Sequence, residues 1–166
     1  DVTRVRQAAQ TRTNHVPALM AWAALEARQG NAAEAAQLYE RVRGIFPNFI
    51  PAMRELALLY AGPLKQPDRA YDLAQRVREA DRNDWTVVRL VGVLAQQRGD
   101  YARAAAALTE YTRQHPNDAE AFYYLGLAQQ RLKLVNEARQ ALSRAVTLDP
   151  NAAFVAEARK VLAELK

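Results

Sequence analysis

The chain has no cysteine and only two histidines among its 166 residues. The lack of cysteine excludes disulfides and thiolate metal sites, and it leaves the redox compartment open. His15 and His115 have no partners at the spacing of metal ligands, so we expect no metal site. The six glycines form no phosphate-binding loop. No apolar run approaches the roughly 18 residues that a membrane-spanning helix requires.

The sequence also lacks a set of residues that could converge on an active site. Acidic pairs such as Asp81 and Asp84 fall at predicted helix ends, where a carboxylate caps the backbone. We therefore predict no catalytic residues, no bound cofactor and no enzymatic activity in this chain.

Basic residues exceed acidic ones, with a net charge of +5 and a pI near 9.7. Only four of the 23 basic residues are lysine, and the cations are scattered singly among acids. Nucleic-acid binding usually requires a dense basic stripe, which is missing here. A solvated surface is the simpler interpretation, so nucleic acid is a disfavoured partner.

What the sequence does contain is a repeat with a period of about 34 residues. Each copy has a small residue, an alanine about twelve residues later and, in three copies of four, a proline after a similar interval. The copies are Ala23-Ala35-Pro47, Ala57-Ala70-Arg82, Gly92-Ala104-Pro116 and Gly126-Ala138-Pro150. Each copy spans two blocks of helical periodicity, which is typical of a helical repeat array. Small residues at the crossing let paired helices approach closely.

These units resemble tetratricopeptide repeats of the bacterial type over about residues 16 to 151. The small residue after an apolar one, the second-helix alanines, the closing prolines and the inner turns Gly30-Asn31 and Gly99-Asp100 match the family pattern. Departures include Lys133-Leu134 at one inner turn and Glu26 where the family favours an aromatic residue. The resemblance implies an all-α fold, a right-handed α-α superhelix of stacked helix-turn-helix repeats.

The phase of the repeat predicts the organisation of a single domain. The expected segments are 1–15 (second helix of a truncated upstream repeat), 16–49, 50–84, 85–118 and 119–151 (four repeats), and 152–166 (a capping helix with one polar face). We expect the natural protein to continue upstream with more repeats, because the first segment lacks its partner helix.

The resemblance further implies that the first helices line a concave groove that holds an extended peptide. The predicted groove residues are Met20, Arg54, Leu58, Arg89, Val93, Gln96, Gln97, Tyr123, Leu127, Gln130 and Arg131. Arginine can pair with a carboxylate, so an acidic ligand is expected. The alternative is that Arg54 and Arg89 form ion pairs with Glu55 or Glu120 and only keep this face soluble.

Two other features of the sequence, a tryptophan and a long turn, each have two competing interpretations. Trp85 begins a predicted helix and could serve either in the core or in ligand contact. The Gly62–Pro67 turn is longer than the other inner turns and is either a second contact surface or a tolerated insertion.

The predicted function is a non-enzymatic scaffold or adaptor that binds a partner protein. The alternatives are polyanion or nucleic-acid binding through arginines, and self-association of the chain. Polyanion binding falls steeply with salt, whereas peptide binding does not, and the molecular mass in solution tests self-association.

Overall fold

The structure is a computed structural model, and it describes residues 15–165. This range contains nine α-helices and no strand, so the all-α helical-repeat fold is confirmed there. The helices are α1 (Val16–Arg28), α2 (Ala32–Ile45), α3 (Ile50–Ala61), α4 (Pro67–Ala80), α5 (Trp85–Gln97), α6 (Tyr101–Gln114), α7 (Ala119–Arg131), α8 (Val135–Leu148) and α9 (Val155–Glu164). The helix expected over 1–15 lies outside the described residues, except that His15 caps α1.

Aspartate side chains determine where three helices begin. The Asp84 carboxylate accepts a hydrogen bond from the backbone N–H of Val87 at 3.2 Å, and Asp118 accepts one from Ala121 at 2.9 Å. Asp100 caps α6 in the same way. Each cap satisfies a backbone donor that has no partner within the helix and places negative charge at its positive end.

Most of the inner turns between paired helices share one backbone conformation. Three of them have three residues, and the middle residue is left-handed, with φ of 85° at Gly30 and 83° at Gly99. In the turn between α7 and α8 the middle residue is Lys133, which adopts the same left-handed conformation at φ 62°. This turn therefore differs from the other two in sequence but not in backbone shape. The turn between α3 and α4, Gly62–Gln66, has five residues.

Small residues allow the close helix crossings that the repeat pattern predicts. A Cβ atom added to Gly126 on α7 would lie 2.6 Å from Cγ of Leu142 on α8. A Cβ at Gly92 would lie equally close to Cγ of Leu108 on α6. These distances are far below van der Waals contact, so a Cβ atom at either crossing would force the facing leucine to shift.

The chain forms two compact units, the first ending at Asp81 and the second beginning at Arg82. The first unit contains helices α1 to α4, and the second contains α5 to α9. Fully or almost fully buried side chains of the first unit include Leu19, Tyr39, Val42, Met53, Leu56 and Val77. In the second unit one cluster is built from Val88, Leu108, Tyr111, Ala121, Leu125 and Ala141.

Helix α9 packs on the second unit and completes a further core cluster. That cluster contains Tyr123, Leu142, Ala145, Ala158 and Val161. The polar face expected for a capping helix is exposed, with Glu157, Lys160 and Glu164 at the surface. The helix begins at Val155, three residues later than the expected segment, because Pro150 is followed by a turn.

Glu26 is a fully buried carboxylate at a position where an aromatic residue was expected. One of its oxygens accepts a hydrogen bond from the Trp22 indole N–H at 2.8 Å, and the other accepts one from the Asn31 amide at 2.7 Å. Buried charge is tolerated only when hydrogen bonds replace its hydration. Glu26 therefore links the middle of α1 to the turn that follows it.

Candidate functional site

The predicted groove residues lie in both units. Met20, Arg54 and Leu58 belong to α1 and α3 of the first unit. The other eight belong to α5 and α7 of the second unit, namely Arg89, Val93, Gln96, Gln97, Tyr123, Leu127, Gln130 and Arg131.

Four of the eight meet in one cleft, which we call the α7–α9 cleft. It has a volume of about 360 Å³. Its predicted lining residues are Gln96, Leu127, Gln130 and Arg131, and α9 adds Glu157, Lys160, Val161 and Glu164. The amphipathic pattern marks α9 as having a polar face, but it does not reveal which neighbour that face adjoins.

The chemistry of the α7–α9 cleft suits a peptide main chain. Leu127 and Val161 supply apolar surface, and the amides of Gln96 and Gln130 supply both donors and acceptors. Two cations and two carboxylates complete the lining, so the cleft has no strong charge of one sign.

Tyr123 belongs to the core beside this cleft. Its side chain is only 7% exposed, and its ring stacks on Phe154 with 4.7 Å between centroids. Burial, followed by a hydrogen bond to Glu157, raises the pKa of Tyr123 well above its usual value. Tyr123 thus positions α9 and offers little surface to a ligand.

Arg89 is held in a network of ion pairs. Its Nε donates to Asp118 at 2.8 Å, and its Nη2 donates to Glu120. The Tyr111 hydroxyl donates to the same Asp118 oxygen at 3.0 Å. Burial alone lowers the pKa of Arg89, but the hydrogen bonds and charges of Asp118 and Glu120 outweigh it and raise the pKa above its ordinary value. Arg89 is therefore a structural ion-pair residue in this chain.

Arg54 is also paired, since its Nη1 lies 2.7 Å from Glu55 Oε1. Glu55 in turn lines a cleft of about 530 Å³ with Met20, Arg28 and Tyr39, which we call the α1–α3 cleft. Burial, followed by the charge of Glu55, raises the pKa of Tyr39 to about 12. Arg54 and Arg89 are therefore both ion-paired in the structure, as the alternative interpretation of these residues expected.

Two aromatic residues outside these clefts have packing roles. Trp85 is partly buried against a core cluster, and its ring lies 5.8 Å from that of His115. His115 ends α6 and stacks on Tyr111 at 4.3 Å.

Comparison with known families identifies the repeat. Two family models, both described as tetratricopeptide repeat, match residues 18–48 and 90–153, which together are more than half of the chain. The chain belongs to the tetratricopeptide repeat family.

Solved tetratricopeptide repeat structures have the same fold. YrrB, described as a TPR protein with an unusual peptide-binding site, is 20% identical and has a TM-score of 0.82, over 96% of this chain and 81% of its own. MamA 41-end from Desulfovibrio magneticus RS-1 is 21% identical and has a TM-score of 0.75, over 90% of this chain and 82% of its own. MamA MSR-1 is 21% identical with a TM-score of 0.76, over 90% and 85% of the two chains. No curated protein matches this sequence.

The described part of this tetratricopeptide repeat protein offers no metal site. Residues 15–165 contain no group of three or more His, Asp or Glu side chains arranged to hold an ion. Among the helices in that range, none combines the length and apolarity needed to cross a bilayer.

Proposed function

We propose that this tetratricopeptide repeat protein is a non-enzymatic adaptor, and that an extended segment of a partner protein binds in its α7–α9 cleft. The observation that supports the proposal most is the convergence of Gln96, Leu127 and Gln130 on one cleft. A ligand side chain would cover the apolar floor while the two amides pair with its backbone N–H and C=O groups. The peptide-binding site named for YrrB gives a precedent within the same fold.

The expected acidity of the ligand stays a prediction. Arg89 and Arg54 already pair with carboxylates of the chain, so a ligand would have to displace those contacts. Arg131 and Lys160 are the cations that line the cleft itself, and they would receive a ligand carboxylate there.

Replacing both amides tests the site. Short random peptides displayed on phage are selected for binding to the purified chain, and the affinities of the selected peptides are measured by fluorescence anisotropy. The double variant Gln96→Ala/Gln130→Ala should bind them about tenfold more weakly or worse, because two or more hydrogen bonds of about 0.5–1.5 kcal/mol each are lost. Gln140→Ala is the matched control, since Gln140 is exposed on α8 outside the cleft. Equal affinity of the double variant and the control would place the ligand elsewhere.

Salt dependence separates this function from polyanion binding. A polyanion that contacts several cations should lose about 10³-fold or more in affinity between about 50 and 200 mM salt. A peptide held by amides and apolar contacts should change far less, because salt screens only the charged part of its contacts. Self-association is measured separately, from the molecular mass of the chain at increasing dilution.

A further inference from the structure

The five-residue turn Gly62–Gln66 forms one wall of a separate cleft in the first unit. The backbone N–H of Leu64 donates to Leu59 O at 3.0 Å, and that of Gln66 donates to Tyr60 O at 2.7 Å, which fixes the turn against the end of α3. The other walls come from α2, α3 and the start of α4. This long-turn cleft measures about 680 Å³, which makes it larger than either cleft described above.

The polar side of the long-turn cleft is preorganised around Glu40. Oε1 of Glu40 accepts hydrogen bonds from the Tyr60 hydroxyl and from Arg69 Nη2, both at 2.8 Å, and Oε2 accepts one from Arg43 at 2.9 Å. The Arg69 guanidinium lies 4.0 Å above the centre of the Tyr60 ring, and its Nη1 donates to Gln66 at 3.0 Å. Because these side chains already hold one another, a ligand would not have to order them.

Only two of the five N–H donors of Arg69 are used by these bonds. Burial, then the hydrogen bond to Glu40, raises the pKa of Tyr60 to about 12, so its hydroxyl stays a donor to Glu40 at neutral pH. Glu40 is therefore already satisfied by the chain, and Arg69 still has donors for a further acceptor.

The apolar side of the cleft consists of Ala33, Ala36 and Leu64. Two of these are alanines, which leave room for a large side chain of a ligand. None of the residues lining the long-turn cleft lines the α1–α3 cleft.

Charge favours an acidic occupant. A smaller hollow of about 220 Å³ shares Glu40 and Arg69 with the long-turn cleft as lining residues. Together the two are lined by four guanidinium groups and two carboxylates, namely Arg41, Arg43, Arg69 and Arg76 against Glu40 and Asp72. An excess of positive charge around an apolar depression is complementary to an apolar side chain with acidic neighbours.

We propose that the long-turn cleft is a second protein-binding site, and that its ligand is a segment of a partner in which a large apolar side chain is flanked by aspartate or glutamate. The apolar side chain lies against Ala33, Ala36 and Leu64, and the carboxylates pair with Arg69 and Arg76. The long turn is then a binding element rather than a neutral insertion. Two such sites would let one chain hold two segments at once.

The test selects random displayed peptides on the Gln96→Ala/Gln130→Ala protein, in which the α7–α9 cleft is disabled. We expect the winners to share an Asp or Glu within a few residues of Leu, Ile, Met or Phe. A synthetic peptide of the winning sequence should bind Leu64→Asp and Arg76→Glu proteins about tenfold more weakly or worse, because each change places a carboxylate against an acidic ligand. Arg76 is exposed and Leu64 is partly exposed in a turn, so both variants should keep a melting temperature within about 3 °C of the parent.

Leu134→Asp is the matched control, because Leu134 is a 41% exposed leucine in another inner turn. The proposal is overturned if the winners show no acidic and apolar pattern, or if the synthetic peptide binds Leu64→Asp and the control equally well. It is also overturned if the protein alone forms a dimer that Leu64→Asp dissociates, since the occupant is then a second copy. A negative result here does not bear on the α7–α9 cleft, because that site is tested with peptides selected on the unmodified chain.

Discussion

Alanine in place of Gly126 is expected to lower the free energy of unfolding by about 1–3 kcal/mol, the usual cost of overpacking a core. The new Cβ would lie 2.6 Å from Cγ of Leu142 and 3.1 Å from its backbone nitrogen. A side chain can rotate away from such a contact, but a backbone atom moves only if α7 and α8 separate. Equilibrium unfolding in urea, followed by circular dichroism, measures the loss.

Two other glycines serve as controls. Gly92→Ala should cost less, because its new Cβ meets only side-chain atoms of Leu108. At Gly44, in α2, an added Cβ meets nothing within 4 Å, so Gly44→Ala should raise stability by up to about 1 kcal/mol through helix propensity. If Gly126→Ala and Gly44→Ala shift the unfolding midpoint in the same direction, the close-crossing explanation is wrong.

The second large effect concerns Asp118, and Asp118→Ala should destabilise the chain by about 2–3 kcal/mol. This carboxylate caps α7 through Ala121 and also accepts hydrogen bonds from Arg89 and Tyr111. Its removal leaves a half-buried guanidinium without its main partner. Asp100→Ala is the matched control, since Asp100 caps α6 and has only an exposed pair with Arg103, so about 1 kcal/mol should be lost there.

The same carboxylate should make the stability of the fold depend on pH. Burial raises the pKa of Asp118, but the backbone hydrogen bond from Ala121 and the Arg89 guanidinium outweigh it, and the folded pKa lies below the ordinary value. A lowered pKa stabilises the fold above the unfolded value of about 4, and that stabilisation is lost as the pH falls toward the folded pKa. The parent should therefore lose more stability on acidification than Asp118→Asn does. Parallel pH profiles of the two proteins would contradict this.

The repeat fold could be predicted because its determinants are local in sequence. Gly126 marks a helix crossing, Asp118 marks a helix start, and both are readable from a period of about 34 residues. The pairing of Arg89 with Asp118 was not predicted, because Asp118 fits a helix cap and the expected partners of Arg54 and Arg89 were Glu55 or Glu120. The signal was weak, since Asp118 lies 29 residues after Arg89, short of a full period, and precedes the neighbouring first helix as its cap.

The clefts that carry the two proposals could be predicted only in part. Gln96, Leu127 and Gln130 are predicted groove residues that line one cleft, but the wall formed by α9 depends on how Phe154 stacks on Tyr123. That contact is set by the turn before α9, which has no counterpart elsewhere in the repeat. Periodicity identifies the apolar face of a helix, whereas the neighbour that covers it follows from packing.

The left-handed Lys133 has a consequence for engineering this protein. A left-handed backbone is strained for a residue with a Cβ atom, but glycine adopts it freely. Lys133→Gly should therefore relieve local strain of about 1 kcal/mol. A designer seeking a more stable version could begin at that turn, since Lys133 itself is not among the residues that line the clefts.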